Sequence, residues 1–228
     1  RELKIGNTAI GGNNPVLVQS MLNVRSSDIE GNVKQAVELE KAGCQIVRVS
    51  VPTLEDVRLV EAIKNEISIP LVADIHFDYK VALACADAGI DKIRINPGNI
   101  GDDERVKAVV KACSAKNIPI RIGVNAGSLE KNILAKYGKP SPEALCESAM
   151  YHIGLLEKYD FNDIAVSIKS SNVKNMIEAY TLLDTKCNYP LHLGVTEAGT
   201  YRMGIIKSAM GIGSLLMNGI GDTIRVSL

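Results

Sequence analysis

Tryptophan is absent from this 228-residue chain, and only 7 Tyr and 2 Phe represent the aromatics. That scarcity argues against a base-stacking platform for single-stranded nucleic acid, which depends on aromatic faces. Net charge is absent too, because 26 Lys+Arg balance 26 Asp+Glu. With no global field, a preference for anions has to be local. No apolar run approaches the roughly 20 residues of a membrane-spanning helix. The opening Arg1-Glu2-Leu3-Lys4-Ile5 has neither the apolar core nor the cleavage site of a secretion signal, and it lacks an initiator Met. No C-x-x-C or Cys/His cluster occurs. Cys44, Cys85, Cys113, Cys146 and Cys187 lie 28 to 41 residues apart, which excludes a locally encoded zinc or iron–sulfur site. Most of them stand among apolar helix positions and read as buried, reduced thiols, which fits a cytoplasmic protein.

What the chain does have is alternation. Short β-branched runs recur at Val16–Ser20, Gln45–Val51, Pro70–Ile75, Lys92–Asn96, Pro119–Val124, Ile164–Lys169, Pro190–Val195 and Thr223–Leu228. Their spacing suits strand–helix units and is too long for hairpins. Helix signals fill the gaps: Ser27-x-x-Glu30 and Thr53-x-x-Asp56 as capping boxes, Asp78 and either Asp102 or Asp103 as caps, and Ser141-Pro142 as a cap followed by proline. The Tyr201–Asn218 stretch reads as one or two helices, with a break near Gly211-Ile212-Gly213.

Eight such units predict an α/β fold, a (β/α)8 TIM-type barrel over residues 16–228. An open doubly wound sheet would show a Gly-rich turn after its first strand, and here that strand runs into Met21-Leu22-Asn23. Residues 1–15 are expected to form a hairpin, turning at Gly11-Gly12-Asn13, that plugs the barrel bottom. No eighth helix follows the last strand, so the natural polypeptide is expected to continue.

Side chains alternate faces along a strand, and barrel chemistry sits at the strands' C-terminal ends. That register points inward Arg48 and Ser50, Asp74 and His76, Arg94 and Asn96, Arg121 and Asn125, Ser167 and Lys169, His192, and Arg225 and Ser227, with Thr196-Glu197 just beyond His192. Five cations then face only two acids, Asp74 and Glu197. Uncompensated buried cations are costly, so the pattern implies an anionic partner. Guanidinium forks match phosphate oxygens, and the Asn96–Gly101 loop entering a helix is a second place for phosphate. The partner predicted is a small, multiply charged phosphate ester.

Other roles stay open at single positions. Asp74 and His76 form either a metal pair or hydrogen-bonding contacts to substrate. Lys169 is either a Schiff-base nucleophile or a phosphate ligand. Glu197 is a general acid or base, or an ion-pair partner. His152 reads as surface or packing.

Seven motifs carry a resemblance: Val18-Gln19-Ser20-Met21, Val47–Pro52, Leu71–Asp78, Arg94–Gly101, Arg121–Glu130, His192–Gly199 and Gly219–Ser227. Together they resemble the N-terminal barrel domain of the 4-hydroxy-3-methylbut-2-enyl diphosphate synthase family, over essentially the whole chain. The resemblance implies reductive opening of 2-C-methyl-D-erythritol 2,4-cyclodiphosphate in non-mevalonate isoprenoid biosynthesis. It implies that Arg48, Arg94, Arg121 and Lys169 hold the diphosphate. Asp74, His76, Asn96, Asn125, Thr196 and Ser227 match further substrate contacts, and Glu197 matches the catalytic carboxylate. In that family a [4Fe–4S] cluster, held by three Cys and one Glu of a C-terminal domain, takes electrons from ferredoxin or flavodoxin, and bacterial members are dimers. No Cys-Pro-x-Cys motif of that kind occurs here, and no metal is expected in this chain. The chain is therefore expected to be a truncated form or fragment that binds substrate without turning it over alone. Two rivals remain: a phosphate-binding lyase or transferase barrel with Lys169 as nucleophile, and a non-catalytic anion-binding module.

Overall fold

In the computed structural model, which describes residues 1–227, a hairpin of β1 (Glu2–Ile5) and β2 (Thr8–Gly11) precedes one eight-stranded parallel sheet. The sheet comprises β3 (Leu17–Met21), β4 (Ile46–Ser50), β5 (Leu71–Asp74), β6 (Lys92–Ile95), β7 (Ile120–Asn125), β8 (Ile164–Lys169), β9 (His192–Leu193) and β10 (Thr223–Ile224). Strand order runs β8-β7-β6-β5-β4-β3-β10-β9, and the two ends meet in one bridge, Val166 to Leu191, beside a bond from Val166 N–H to the Pro190 carbonyl at 2.9 Å. The barrel predicted from the alternation is the fold observed.

The helices are α1 (Ile29–Lys41), α2 (Arg58–Lys64), α3 (Tyr79–Asp87), α4 (Asp103–Ala115), α5 (Lys131–Tyr137), α6 (Pro142–Glu157), α7 (Val173–Asp184) and α8 (Tyr201–Met217). Outward strand residues such as Val47, Val49, Ile93, Ile95, Ile122 and Val166 are buried in one core with Leu59, Ile63, Val109, Leu145, Met176 and Leu183 from the helices. Each such side chain contributes roughly 1.5–3 kcal/mol by leaving water. Inside the barrel, Leu17, Ile46, Val72 and Ala165 at the strands' N-terminal ends form a separate apolar layer with Leu3, Ile5 and Ile10 of the hairpin.

Local expectations fared unevenly. The hairpin turns at Gly6-Asn7, where Gly6 takes φ +55, and not at Gly11-Gly12-Asn13. The cap of α1 is Asp28, which accepts the Gly31 N–H, instead of Ser27. Thr53 and Asp56 do form their capping box, and Asp78, Asp102 and Ser141 cap α3, α4 and α6. Helix α8 runs unbroken through Gly211, where a Cβ would come within 2.8 Å of Met176 Cε on α7; the glycine serves close helix packing and not a break. Helix α5 was not anticipated. No helix among the described residues is long and apolar enough to cross a membrane.

Candidate functional site

The C-terminal mouth of the barrel is built by strand parity. Parallel pairing places Asp74 beside Arg94, Arg94 beside Arg121, and Asn125 beside Lys169, and paired residues of neighbouring strands point the same way. Arg48, Arg94, Arg121 and Lys169 are all buried, and Arg121 is fully enclosed. Asp74, 1% exposed, accepts from Arg48 Nη2 and from Arg94 Nη1 at 3.1 Å. Burial alone would raise the Asp74 carboxyl, but Arg48 and then Arg94 outweigh it and hold it well below the ordinary carboxylate range.

Arg94 is further fixed by a bond from Nη2 to the Gly123 carbonyl at 3.0 Å, while Gly123 N–H donates to Asn96 Oδ1 at 3.1 Å. A Cβ on Gly123 would lie 2.4 Å from Arg94 Nε, so the guanidinium occupies space that only glycine leaves. Arg121 Nη1 donates to Ser167 Oγ at 3.3 Å. Burial and the surrounding cations, Arg121 first, push Lys169 well below the usual lysine range. Burial, with Arg48, brings Arg225 down to about 10. The mouth thus holds one buried carboxylate among several cations.

The loops after β7, β8 and β9 enclose a cavity of about 490 Å³ lined by Asn125, Ser128, Ser171, Thr196 and Glu197. Glu197 is exposed and takes φ +49, a left-handed backbone that costs a residue with a side chain roughly 1–2 kcal/mol. Ser227 is half-buried just beyond β10. His76 stands two residues past the end of β5, its side chain 46% exposed and its Nε2 3.7 Å from Asp74 Oδ2 at the mouth. No three His, Cys, Asp or Glu come together among the described residues, so Asp74 and His76 gain no third ligand. His192 is fully buried, its Nδ1 2.8 Å from Thr223 Oγ1.

Two features escaped the sequence reading. Lys92 shares the inward parity of Arg94 and Asn96 and is fully buried inside the barrel. The period of two places it on the same face as Arg94 and Asn96, two and four residues on in the same strand run. Of the two readings left open for His152 on α6, packing is the one observed, though its partners were not foreseen. It is fully buried, its Nδ1 accepts the Gly98 N–H at 3.2 Å, and its Nε2 lies 2.5 Å from Glu130 Oε1. Burial would raise the Glu130 carboxyl, but the His152 hydrogen bond holds it at about 2. His152 thereby ties the loop after β6 to the segment after β7.

The family model for the GcpE TIM-barrel domain matches residues 1–228. Similar proteins include the 4-hydroxy-3-methylbut-2-en-1-yl diphosphate synthase (flavodoxin) of Fusobacterium nucleatum, 62% identical over all of this chain and 64% of that protein. The enzyme of the same name from Clostridium perfringens is 59% identical over all of this chain and 65% of its own length. The chain therefore spans a little under two thirds of the curated relatives it matches. Among solved structures, the dihydropteroate synthase of Xanthomonas albilineans with indole-2-carboxylic acid and 6-chloroguanine aligns at TM-score 0.66 and 12% identity, covering 98% of this chain and 91% of that one. The Yersinia pestis dihydropteroate synthase with a sulfonamide drug aligns at TM-score 0.66 and 15% identity, covering 99% and 92%. At those identities the likeness is one of fold.

Proposed function

Because the chain belongs to the GcpE TIM-barrel family, we propose that its mouth seats 2-C-methyl-D-erythritol 2,4-cyclodiphosphate as the substrate-binding part of a 4-hydroxy-3-methylbut-2-enyl diphosphate synthase. One observation carries the reading: four buried Lys and Arg side chains converge at the mouth, while the only buried carboxylate there among the described residues, Asp74, is already shared by Arg48 and Arg94. The unmet charge calls for a compact polyanion. Charge-assisted hydrogen bonds contribute roughly 1.5–3 kcal/mol each, so a few suffice to hold a small substrate with little apolar contact.

In this reading Arg48, Arg94, Arg121 and Lys169 take the diphosphate. Asp74, His76, Asn96, Asn125, Thr196 and Ser227 orient the carbon skeleton. Glu197, held by its left-handed backbone at the rim, manages the proton at a substrate hydroxyl. Opening the ring breaks a C–O bond and leaves negative charge on the departing phosphate oxygen. Cations fixed in advance stabilise that charge without reorganising.

A [4Fe–4S] cluster, which the resemblance implies for the family, does not fit the described residues. No group of three suitable ligands exists, and burial pushes the Cys85 and Cys113 thiols up to about 12, away from the thiolate a cluster needs. No step of this barrel's role runs through one. The reading assigns electron delivery to another part of a cytoplasmic, homodimeric enzyme served by flavodoxin.

A second reading draws on Lys169. A buried lysine pushed toward its neutral amine suits a Schiff-base nucleophile in a lyase or transferase. Borohydride trapping with a carbonyl substrate, followed by mass spectrometry at Lys169, tests it, and absence of an adduct removes it. The principal reading is tested by calorimetric titration of the cyclodiphosphate into the chain beside an Arg94→Ala control. Binding that the control weakens at least tenfold is expected. Equal binding by both proteins would take the diphosphate away from this mouth.

A further inference from the structure

Within the barrel, Lys92 is enclosed as no other ammonium in the chain is. It is 0% exposed, and its Nζ has no hydrogen-bond partner among the described residues. The groups around it offer no counter-charge. Arg48 on β4 and Arg121 on β7 act on it most strongly. Arg94 on its own strand and Asp74 on β5 are joined to each other, and Asp74 also takes Arg48. Lys169 on β8 and His192 on β9 are buried and bring no negative charge, and burial with the surrounding cations pushes both below their ordinary ranges. Gln19 on β3 and Thr223 on β10 are buried and uncharged.

An arginine in such a place has to keep its proton, but a lysine sheds it readily. Burial, then Arg121 and Arg48, push Lys92 well below the usual lysine range. With no hydrogen-bond partner for Nζ and no free counter-charge around it, a neutral amine at Lys92 is what would balance the ligand-free interior. A dianion at the mouth reverses the balance. Its charge would offset the field of Arg48 and Arg121, the two cations that act most strongly on Lys92.

We propose that Lys92 is a proton-accepting lysine of the anion site, so that each polyanion bound at the mouth is accompanied by a proton drawn from solvent onto Lys92 Nζ. The step is an uptake only: the amine and one solvent proton become an ammonium, and no other bond changes. This rests on the function proposed above and adds a charge-compensating residue to its site. A cyclic diphosphate is a clean probe, because each phosphorus carries one ester and one anhydride oxygen and so a single, strongly acidic hydroxyl. It brings no titrating group of its own to pH 8.

The experiment is calorimetric titration of the cyclodiphosphate at pH 8 in buffers of differing ionisation enthalpy, with wild type and Lys92→Met. Expected is uptake of about one proton per ligand by wild type, cut at least by half in the variant while binding persists. Heat that does not depend on buffer, or uptake that the variant leaves intact, overturns the inference alone. No binding in any buffer overturns the function proposed above and this inference with it. Carbon-13 NMR of the ligand-free wild type needs neither a folded variant nor a ligand once the Lys92 side chain is assigned by sequential connectivity. A neutral Lys92 at pH 8 supports the inference, and a charged one overturns it.

Discussion

Replacing Asp74 by asparagine keeps the shape of the mouth and removes its one buried negative charge. In the native barrel that carboxylate accepts from both Arg48 and Arg94 at 1% exposure. The variant leaves two guanidiniums facing an amide, beside Arg121 and Lys169, with nothing opposite in sign. Breaking a buried pair while its partner stays charged costs about 3–5 kcal/mol. For a domain of this length about 2–4 °C follows each kcal/mol, so the melting temperature should fall by roughly 6–20 °C. The pH dependence supplies a second handle. A carboxyl depressed in the folded state contributes stability that is present above its unfolded value of about 3.9 and lost as pH falls through the folded value. Wild type should therefore lose stability below about pH 4 more steeply than Asp74→Asn, and the two should converge in acid. Urea unfolding at pH 7 and at pH 3 measures both effects. A difference below about 1 kcal/mol at pH 7, or parallel acid profiles, would refute the account of Asp74 as the electrostatic keystone.

Gly123→Ala should displace Arg94, since the new methyl would sit 2.4 Å from Nε, and pyrophosphate affinity measured by calorimetry should drop at least tenfold. In wild type, pyrophosphate at a hundred times its dissociation constant should stabilise the fold by about 2.7 kcal/mol, read from the melting temperature. Glu197→Gly should relieve the φ +49 backbone and raise the melting temperature by roughly 2–8 °C while removing the carboxylate. His152→Ala should cost about 2–3 kcal/mol in urea unfolding, because it leaves the Gly98 N–H and the Glu130 carboxylate without their shared partner.

The barrel was legible because its two periods are clean: β-branched runs on strands buried on both faces, and capped amphipathic helices between them. The cationic mouth was legible for the same reason, since a period of two puts Arg48, Arg94, Arg121 and Lys169 on one side without any knowledge of tertiary contacts. What the local pattern left open was decided by ends and by distance. His76 lies two residues past the end of its strand, where the period of two no longer fixes a side chain's direction. Lys92 lay at the start of one, where a lysine reads as a solvated boundary. His152 is placed by contacts to Gly98 and Glu130, 54 and 22 residues away in sequence, and no local pattern reports partners at that separation. Gly211 looked like a helix break because the reason for it, Met176 on the neighbouring helix, is a tertiary one.

The seam of the barrel divides the mouth mechanically. Strands β4 to β8 are laced together over several residues each, up to Asn125 with Lys169. Across the seam, β9 and β10 are two residues long, and a single bridge joins Val166 to Leu191. Arg48, Asp74, Arg94, Arg121 and Lys169 therefore stand on a stiff wall, while Thr196, Glu197, Arg225 and Ser227 extend from a compliant one. On the function proposed above, the groups that would hold the anion are those set on the extensively paired strands, and the groups that would handle its protons are those set on the sparsely paired ones.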